Sequence, residues 1–342
     1  MTNPSGPFDV GDLADRATAA AQRWYPGARI AGIVPLQGGR SSLTYAATAT
    51  GASGGVRLVL KVAPPGLAPV RNRDVLRQAR ILRALQHADG VNVPEVLFLD
   101  GGEPPAVPPL FAMSFAEGRS FEPHVDAVDD AGYEDVPAAD ISGRARHAAT
   151  MLGSLHSQDA VALGLADEPI ATGRSEIDRW ANAFASVGDF VDGRAAEAID
   201  GLRAHVPADI SPRIVHGDYR LGNMLSVGAT VKAIIDWEIW SLGDPRIDVS
   251  WYMLCAEPAG HPMAIRVHPG MPAVDILLAD YESAGGRALP DLRWFRALTL
   301  TKMAATTALI AKHNRRAGMD LLADRTKATI PVMLDGALAS LC

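Results

Sequence analysis

His216-Gly217-Asp218-Tyr219-Arg220-Leu221-Gly222-Asn223, followed a short way on by Ile235-Asp236-Trp237-Glu238, is the stretch that decides how this chain is read. Between the two segments lie Met224–Ser226, a turn at Gly228 and the run Val231–Ile235, two short apolar runs about a tight turn, as in a β-hairpin. A hairpin returns its ends to one edge, so Asn223 and Asp236 are expected side by side with Asp218 just upstream. Mg²⁺ is a hard cation that takes one or two carboxylate or carbonyl oxygens from a protein and fills its shell with phosphate and water. Asn223 and Asp236 offer such a pair, which leaves Asp218 to accept a proton. Arg220, two residues on, is placed to neutralise charge on a phosphoryl group in transfer. An Asx-turn network around His216–Asp218, or Asp236 as a plain cap, explains one position each but not three in this order.

Outward from that loop the chain changes character. Residues before 112 carry short apolar or alternating runs at Ala31–Leu36, Leu43–Thr50, Arg57–Ala63, Pro94–Leu99 and Leu110–Phe115, punctuated by Gly38-Gly39 and Gly51–Gly55, which predicts an antiparallel sheet. One amphipathic helix is expected there, Asp74–Gln86, with Val75, Ala79, Leu82 and Leu85 three or four apart. After about residue 140 helical periodicity dominates: Ile141–Ser157, Ser175–Val187, Arg194–His205, Ile247–Ala256, Val274–Ser283, Asp291–His313 and Met319–Leu341. The reading is an α+β chain of two lobes, residues 1–115 and 116–342.

Composition excludes several classes. The chain has 342 residues, 48% of them hydrophobic, with 32 basic against 39 acidic residues and a net charge of −7, which gives no general attraction to nucleic acid or an anionic membrane. Cys255 and Cys342 are its only cysteines, too few for a disulfide framework or a metal knuckle. With Asp9, Asp12 and Asp15 near the start and no long uncharged apolar run, neither an export signal nor a membrane span is read, and a cytoplasmic location is expected. No feature sets the oligomeric state. Neither GxxxxGKS/T nor GxGxxG occurs, and GxSxG at Gly51–Gly55 falls in a hairpin turn without the helix a nucleophile elbow needs. Gly38-Gly39-Arg40-Ser41-Ser42 can cradle phosphate through close backbone approach and hydroxyl donors, or be an ordinary hairpin turn. Lys61, opposite in alternation to Leu58, Leu60 and Val62, can be a solvated strand residue or a ligand contact.

His216–Asn223, Ile235–Glu238, Gly243-Asp244-Pro245 with Asp248, Gln37–Tyr45, Leu58–Pro65 and Ala116-Glu117-Gly118-Arg119 together resemble the aminoglycoside phosphotransferase and choline kinase-like family, relatives of protein kinases. The resemblance is greatest to the branch related to domains fused to acyl-CoA dehydrogenases. It implies a protein-kinase-like fold, an antiparallel-sheet N-lobe with one main helix and a mostly helical C-lobe, enclosing ATP (GTP left open) and Mg²⁺, with the γ-phosphoryl group passing to a small-molecule hydroxyl. Under it, Asp218 is the base. Gly38, Gly39, Ser41, Ser42 and Lys61 hold phosphate, and the backbone of Ser114 and Ala116 faces adenine. The family pairs the strand lysine with a helix glutamate, where this chain has Gln78; Asp74 is a possible substitute. Asp244, Asp248 and His156 read as structural. Arg71, Arg73, Arg77 and Arg80 offer either contacts for a phosphate-bearing acceptor or a solvated helix face. Three alternatives remain: an aminoglycoside as acceptor, a nucleotide-binding protein without turnover, and a metal hydrolase using His216, Asp218, Asp236 and Asp248.

Overall fold

The computed structural model describes residues 9–36, 42–51, 54–122, 136–257 and 268–342. Helix α1 (Val10–Trp24) is capped by Asp9, whose carboxylate accepts the Gly11 N–H. Strands β1 (Arg29–Pro35), β2 (Leu43–Gly51) and β3 (Gly54–Val62) follow, then α2 (Val75–Leu85), β4 (Val96–Asp100) and β5 (Leu110–Ser114). They form one antiparallel sheet in the order β1-β2-β3-β5-β4.

A single covering helix was expected; the sheet has two. Leu58, Leu60 and Val62 of β3 pack with Leu13, Ala17, Ala20 and Ala21 of α1, while Val59, Phe111 and Met113 face Val75, Ala79, Leu82 and Leu85 of α2. The buried stripe of α1 is Leu13, Ala17, Ala20 and Ala21, set three or four apart like that of α2. Lys61 lies on the α2 side, as alternation requires, and is nearly buried.

The rest of the described chain is mainly helical: α3 (Ala138–Ser157), β6 (Ile170–Ala171), α4 (Gly173–Val187), α5 (Gly193–Ala204), β7 (Arg213–Val215), the hairpin β8 (Met224–Val227) and β9 (Thr230–Ile234), β10 (Ser241–Gly243), α6 (Arg246–Ala256), α7 (Val274–Ser283), α8 (Leu292–Arg316), α9 (Asp320–Lys327) and α10 (Ile330–Leu341). The single helix expected over Met319–Leu341 is broken, because Pro331 sits in the first turn of α10. Proline has no N–H to continue a helix but tolerates its start. A small sheet, β6-β10-β7, was not foreseen; its strands are two or three residues long. No described helix is long and apolar enough to cross a membrane.

The two halves are latched beside α2. Arg77 donates to Glu168 (3.0 and 3.1 Å) and to the Trp240 carbonyl (2.8 Å), and its guanidinium lies 4.2 Å from the Trp240 ring centre. Arg80 pairs with Asp167 and Glu168. These two arginines are therefore engaged by the chain itself, which corrects the reading of Arg77 and Arg80 as free contacts for an acceptor's phosphates.

Candidate active site

β7 pairs with β10, Ile214 opposite Leu242, and this sets the start of α6 against the loop that follows β7. Asp248, in the first turn of α6 and fully buried, accepts the His216 N–H at 2.6 Å and the Gly217 N–H at 2.8 Å. Burial alone would raise its pKa; the His156 and His216 imidazoles and the Gly217 N–H outweigh it and hold the carboxyl below its ordinary value. His156 Nε2 stands 3.6 Å away, an electrostatic contact and not a hydrogen bond. Gly217 has φ +86° and a Cβ there would come within 2.9 Å of the Ile239 carbonyl oxygen, so only glycine fits. Its own carbonyl receives Lys302 Nζ from α8. One residue is thus held by two buried charges, Asp248 at its N–H and Lys302 at its C=O. Lys302 also lies 4.1 Å from the Trp251 ring centre; burial lowers its pKa against the pull of Asp218, Glu176 and Asp248.

His216 bridges the loop to the hairpin's far end. Its Nδ1 accepts the Asp218 N–H at 3.2 Å and its Nε2 faces the Ile235 carbonyl at 2.9 Å, which assigns the hydrogen to Nε2. Both ring nitrogens are therefore occupied, as are both oxygens of Asp248, and no group of three or more His, Cys, Asp or Glu suited to a metal occurs among the described residues. The metal-hydrolase cluster is corrected accordingly.

Asp218 is held by two neighbours. Asn223 Nδ2 donates to its carboxylate (2.7 Å) and to its carbonyl (2.9 Å), and Arg220 Nε reaches both carboxylate oxygens at 3.3 Å. Arg220 also donates to Glu122 (3.3 Å), which accepts the Gly222 N–H at 3.0 Å. Burial would lower the arginine's pKa, but the two carboxylates override it and raise it. For Glu122 burial wins and its pKa is raised, with Arg220 and the Gly222 N–H opposing. Arg220, expected to meet a transferred phosphoryl group, is here forked between Asp218 and Glu122, where it fixes the carboxylate.

The hairpin brings Asn223 and Asp236 together as its turn requires: Met224 pairs with Ile234, and the Ile235 N–H donates to the Asn223 carbonyl at 2.9 Å. The Asn223 amide nitrogen is engaged by Asp218, so its oxygen remains for a cation. Asp236 has φ 67° and ψ 51°, a left-handed conformation that its short polar side chain tolerates better than most. Its carboxylate is 39% exposed and lies 3.8 Å from Lys61 Nζ.

Lys61 Nζ also donates to Ser42 Oγ at 3.2 Å, since β2 and β3 pair with Leu43 opposite Val62. Gly38, Gly39 and Ser41 lie outside the described residues. Gln78, buried in α2, donates its amide to the Asn72 carbonyl at 3.4 Å, and Asp74 accepts the Leu76 and Arg77 N–H groups as the helix cap. The carboxylate beside Lys61 is therefore Asp236. Gln78 and Asp74 were expected to serve the lysine; in the fold they serve α2 and the turn before it. The Ser114 N–H is likewise engaged, by the Glu95 carbonyl at 2.8 Å, so of its two backbone groups the carbonyl is the one left for adenine. Ala116 follows in the segment that leaves β5. That segment runs to Arg119, whose backbone pairs with Ser226 of β8, and Gly118 (φ +125°) is needed because a Cβ would lie 2.8 Å from the Ser226 backbone.

Asp218, Asn223, Asp236, Lys61 and Ser42 are thus brought together from the two halves of the molecule. Residues 32–298 match the phosphotransferase enzyme family. The chain belongs to that family. Among curated proteins it is 30% identical over 277 residues to "Probable acyl-CoA dehydrogenase IBR3" of Arabidopsis thaliana, a match covering 75% of this chain and 33% of that protein. The chain therefore spans about a third of that relative's length, and the same holds for acyl-CoA dehydrogenase family member 11 of Homo sapiens, 24% identical, with 32% covered. A Ralstonia eutropha structure assigned provisionally to the aminoglycoside phosphotransferases superposes with a TM-score of 0.75 at 21% identity, covering 97% of this chain and 99% of that one. At these identities the structural likeness shows the fold, a kinase-like one with an antiparallel-sheet lobe and a helical lobe.

Two members of the site were not foreseen. Glu122 lies in a stretch without a motif, and nothing in its spacing marks it. Lys302 had a signal: a lone lysine in Leu298-Thr299-Leu300-Thr301-Lys302-Met303, at the centre of a helix buried nearly all round, is a charge that needs a partner.

Proposed function

We propose that the chain transfers the γ-phosphoryl group of ATP, with Mg²⁺, to a hydroxyl of a small molecule, and that the division between its lobes lies at residues 115 and 116. The observation that carries this reading is the constellation at one end of the β8–β9 hairpin: Asp218 oriented by Asn223, and Asp236 open to solvent but paired with Lys61. Asn223 Oδ1 and the Asp236 carboxylate supply hard oxygen ligands that fit Mg²⁺, which when bound would shield phosphate charge. Lys61 and the Ser42 hydroxyl approach the nucleotide's phosphates with donors, and Ala116 offers backbone groups to the base. Asp218 takes the proton of the acceptor hydroxyl as its oxygen bonds to the γ-phosphorus. The bond to the β–γ bridging oxygen breaks, and ADP leaves with that electron pair. Arg220 holds the Asp218 carboxylate in position, and Asp248 and Lys302 hold the loop that bears it.

The acceptor we favour is a hydroxylated metabolite, with hydroxyacyl thioesters first, because the curated relatives named above are acyl-CoA dehydrogenase family proteins. The Ralstonia eutropha structure resembles this chain in fold alone. A phosphoryl-transfer screen with labelled ATP across hydroxyacyl thioesters, amino alcohols and aminoglycosides tests the reading. Turnover of an aminoglycoside with kcat/KM above about 10⁴ M⁻¹s⁻¹, with nothing from the thioesters, would overturn the choice of acceptor. ATP binding without turnover of any acceptor would support the pseudokinase reading, which the neutral Gln78 motivates.

A further inference from the structure

A second cavity, of about 500 Å³, opens where the end of α3, the approach to β7 and the α7–α8 connection meet. Its wall includes His156, Arg213, Tyr281 and Arg287, with Asp209 and Ser211 at the approach to β7, and it includes none of Asp218, Asn223, Asp236 or Lys61. That volume falls within the range of small-molecule sites. Asp248 separates it from the catalytic loop, because the carboxylate that accepts the His216 and Gly217 N–H groups lies 3.6 Å from His156 Nε2 on the cavity side.

Two features of the wall point to an anion. Two arginines line it, Arg213 and Arg287, and neither has a described carboxylate within ion-pair distance. Arg213 is half-buried and lines the cavity together with Tyr281. In a chain of net charge −7, two unpaired guanidiniums about one cavity form a site for carboxylate or phosphate, which they bind through paired N–H donors. Asp209, on the same wall, disfavours a ligand that is anionic throughout and suits one that also carries a hydroxyl.

We propose that this cavity is a second ligand site for a small hydroxylated organic anion, carboxylate or phosphate, and that its occupancy reaches the catalytic loop. The route is short: Tyr281 Oη lies 3.1 Å from His156 Nδ1, His156 faces Asp248, and Asp248 holds the loop's two N–H groups. A ligand that fixes Tyr281 and Arg213 restricts His156, and through it the carboxylate on which the loop hangs.

Binding is measured by titrating citrate and, separately, glycerol 2-phosphate into the nucleotide-free protein by calorimetry, while hydrogen exchange is followed at the His216, Gly217 and Asp218 amides. At least one of the two is expected to bind, with about tenfold weaker binding in Arg213→Gln and several-fold weaker binding in Arg287→Gln, whose exposed side chain leaves folding untouched. Exchange at His216 and Gly217 is expected to slow on binding. Citrate binding alone identifies a carboxylate site, and glycerol 2-phosphate binding alone a phosphate site. Lys61→Ala separates this site from the nucleotide site, since it should weaken ATP but not the anion. Binding that is lost in Lys61→Ala, or retained in both arginine variants, overturns the site. Binding at the arginines with unchanged amide exchange overturns the link to the loop. Neither result bears on whether ATP binds at Asp236 and Lys61, so the proposed phosphotransfer stands or falls separately.

Discussion

The two sides of the cleft are built differently. Below, the loop bearing Asp218 is held by groups removed from water: Asp248 on two N–H groups, Lys302 on the Gly217 carbonyl, and Tyr219 Oη on the Ala148 carbonyl at 2.7 Å. Above, Lys61 has one hydroxyl at 3.2 Å and one partly exposed carboxylate at 3.8 Å. Charge-assisted hydrogen bonds away from water are strong and costly to break, whereas a long ion pair open to solvent exchanges readily for another anion. The half bearing the proposed base is therefore fixed in advance, and the half proposed to meet nucleotide is held by contacts that phosphate can replace.

If that contrast is right, the largest effect follows from Asp248. Removing its carboxylate in Asp248→Ala strands two buried N–H groups, and at about 1.5–3 kcal/mol for each charge-assisted bond the loss of stability should be about 3–6 kcal/mol by denaturant unfolding. pH gives an independent check. A carboxylate whose folded pKa lies below the unfolded value contributes stability that is complete above the ordinary 3.8 and is lost as pH falls through the folded value. Asp248→Asn should flatten that acid limb. Glu122 runs the opposite way: its folded pKa is raised, so it detracts from stability increasingly as pH rises from the ordinary 4.5 towards the folded value. Glu122→Gln should remove that decline. An Asp248→Asn profile that keeps the full acid limb would break the comparison.

Asp218 belongs to the same rigid half but should leave stability nearly unchanged. Its carboxylate is partly exposed and Arg220 keeps Glu122 as a partner, so Asp218→Ala is expected to cost no more than about 1 kcal/mol, the scale of an exposed ion pair. Turnover should fall about 10²–10⁴-fold in kcat, the usual loss for a positioned proton acceptor. Near-parental kcat on a confirmed acceptor would remove Asp218 from the proton path.

On the other side of the cleft, the expected changes are in ligand binding rather than in stability. Asp236→Ala should abolish Mg²⁺-dependent nucleotide binding more completely than Asn223→Ala, because it removes a charge as well as an oxygen and also frees Lys61. Titration of Mg²⁺ against a fluorescent nucleotide separates the two variants. Superimposable curves would show that the pair does not act as one cation site.

The same asymmetry governs what could be read beforehand. The hairpin was legible because a turn between two apolar runs fixes register, and register alone sets Asn223 beside Asp236. Asp248 was read as a brace from Gly243-Asp244-Pro245, and its two bonds to the loop show how it acts. What could not be read are partners distant in sequence: Glu122 with Arg220, Lys302 with Gly217, and Asp236, not Gln78 or Asp74, with Lys61. Local pattern specifies a face of a helix or strand, but which charge meets which depends on packing between elements far apart in the chain. α1 is a different case, since its apolar residues recur at helical spacing as clearly as those of α2 and the signal was there to be read.

The smallest expected effect tests that reassignment of Asp74. In the fold its carboxylate accepts the Leu76 and Arg77 N–H groups at 3.1 and 3.0 Å, and it has no described contact with Lys61. An N-cap replaced by alanine costs about 1 kcal/mol, so Asp74→Ala should lower unfolding free energy by that amount. α2 also carries Arg77 to Glu168 and Trp240, so fraying its first turn should loosen the latch between the two halves slightly. Nucleotide affinity should be unaltered, because Lys61 keeps Ser42 and Asp236. A severe loss of ATP binding in Asp74→Ala, with stability unchanged, would instead make Asp74 the partner of the lysine in the nucleotide-bound state and would reverse the contrast between the two sides of the cleft.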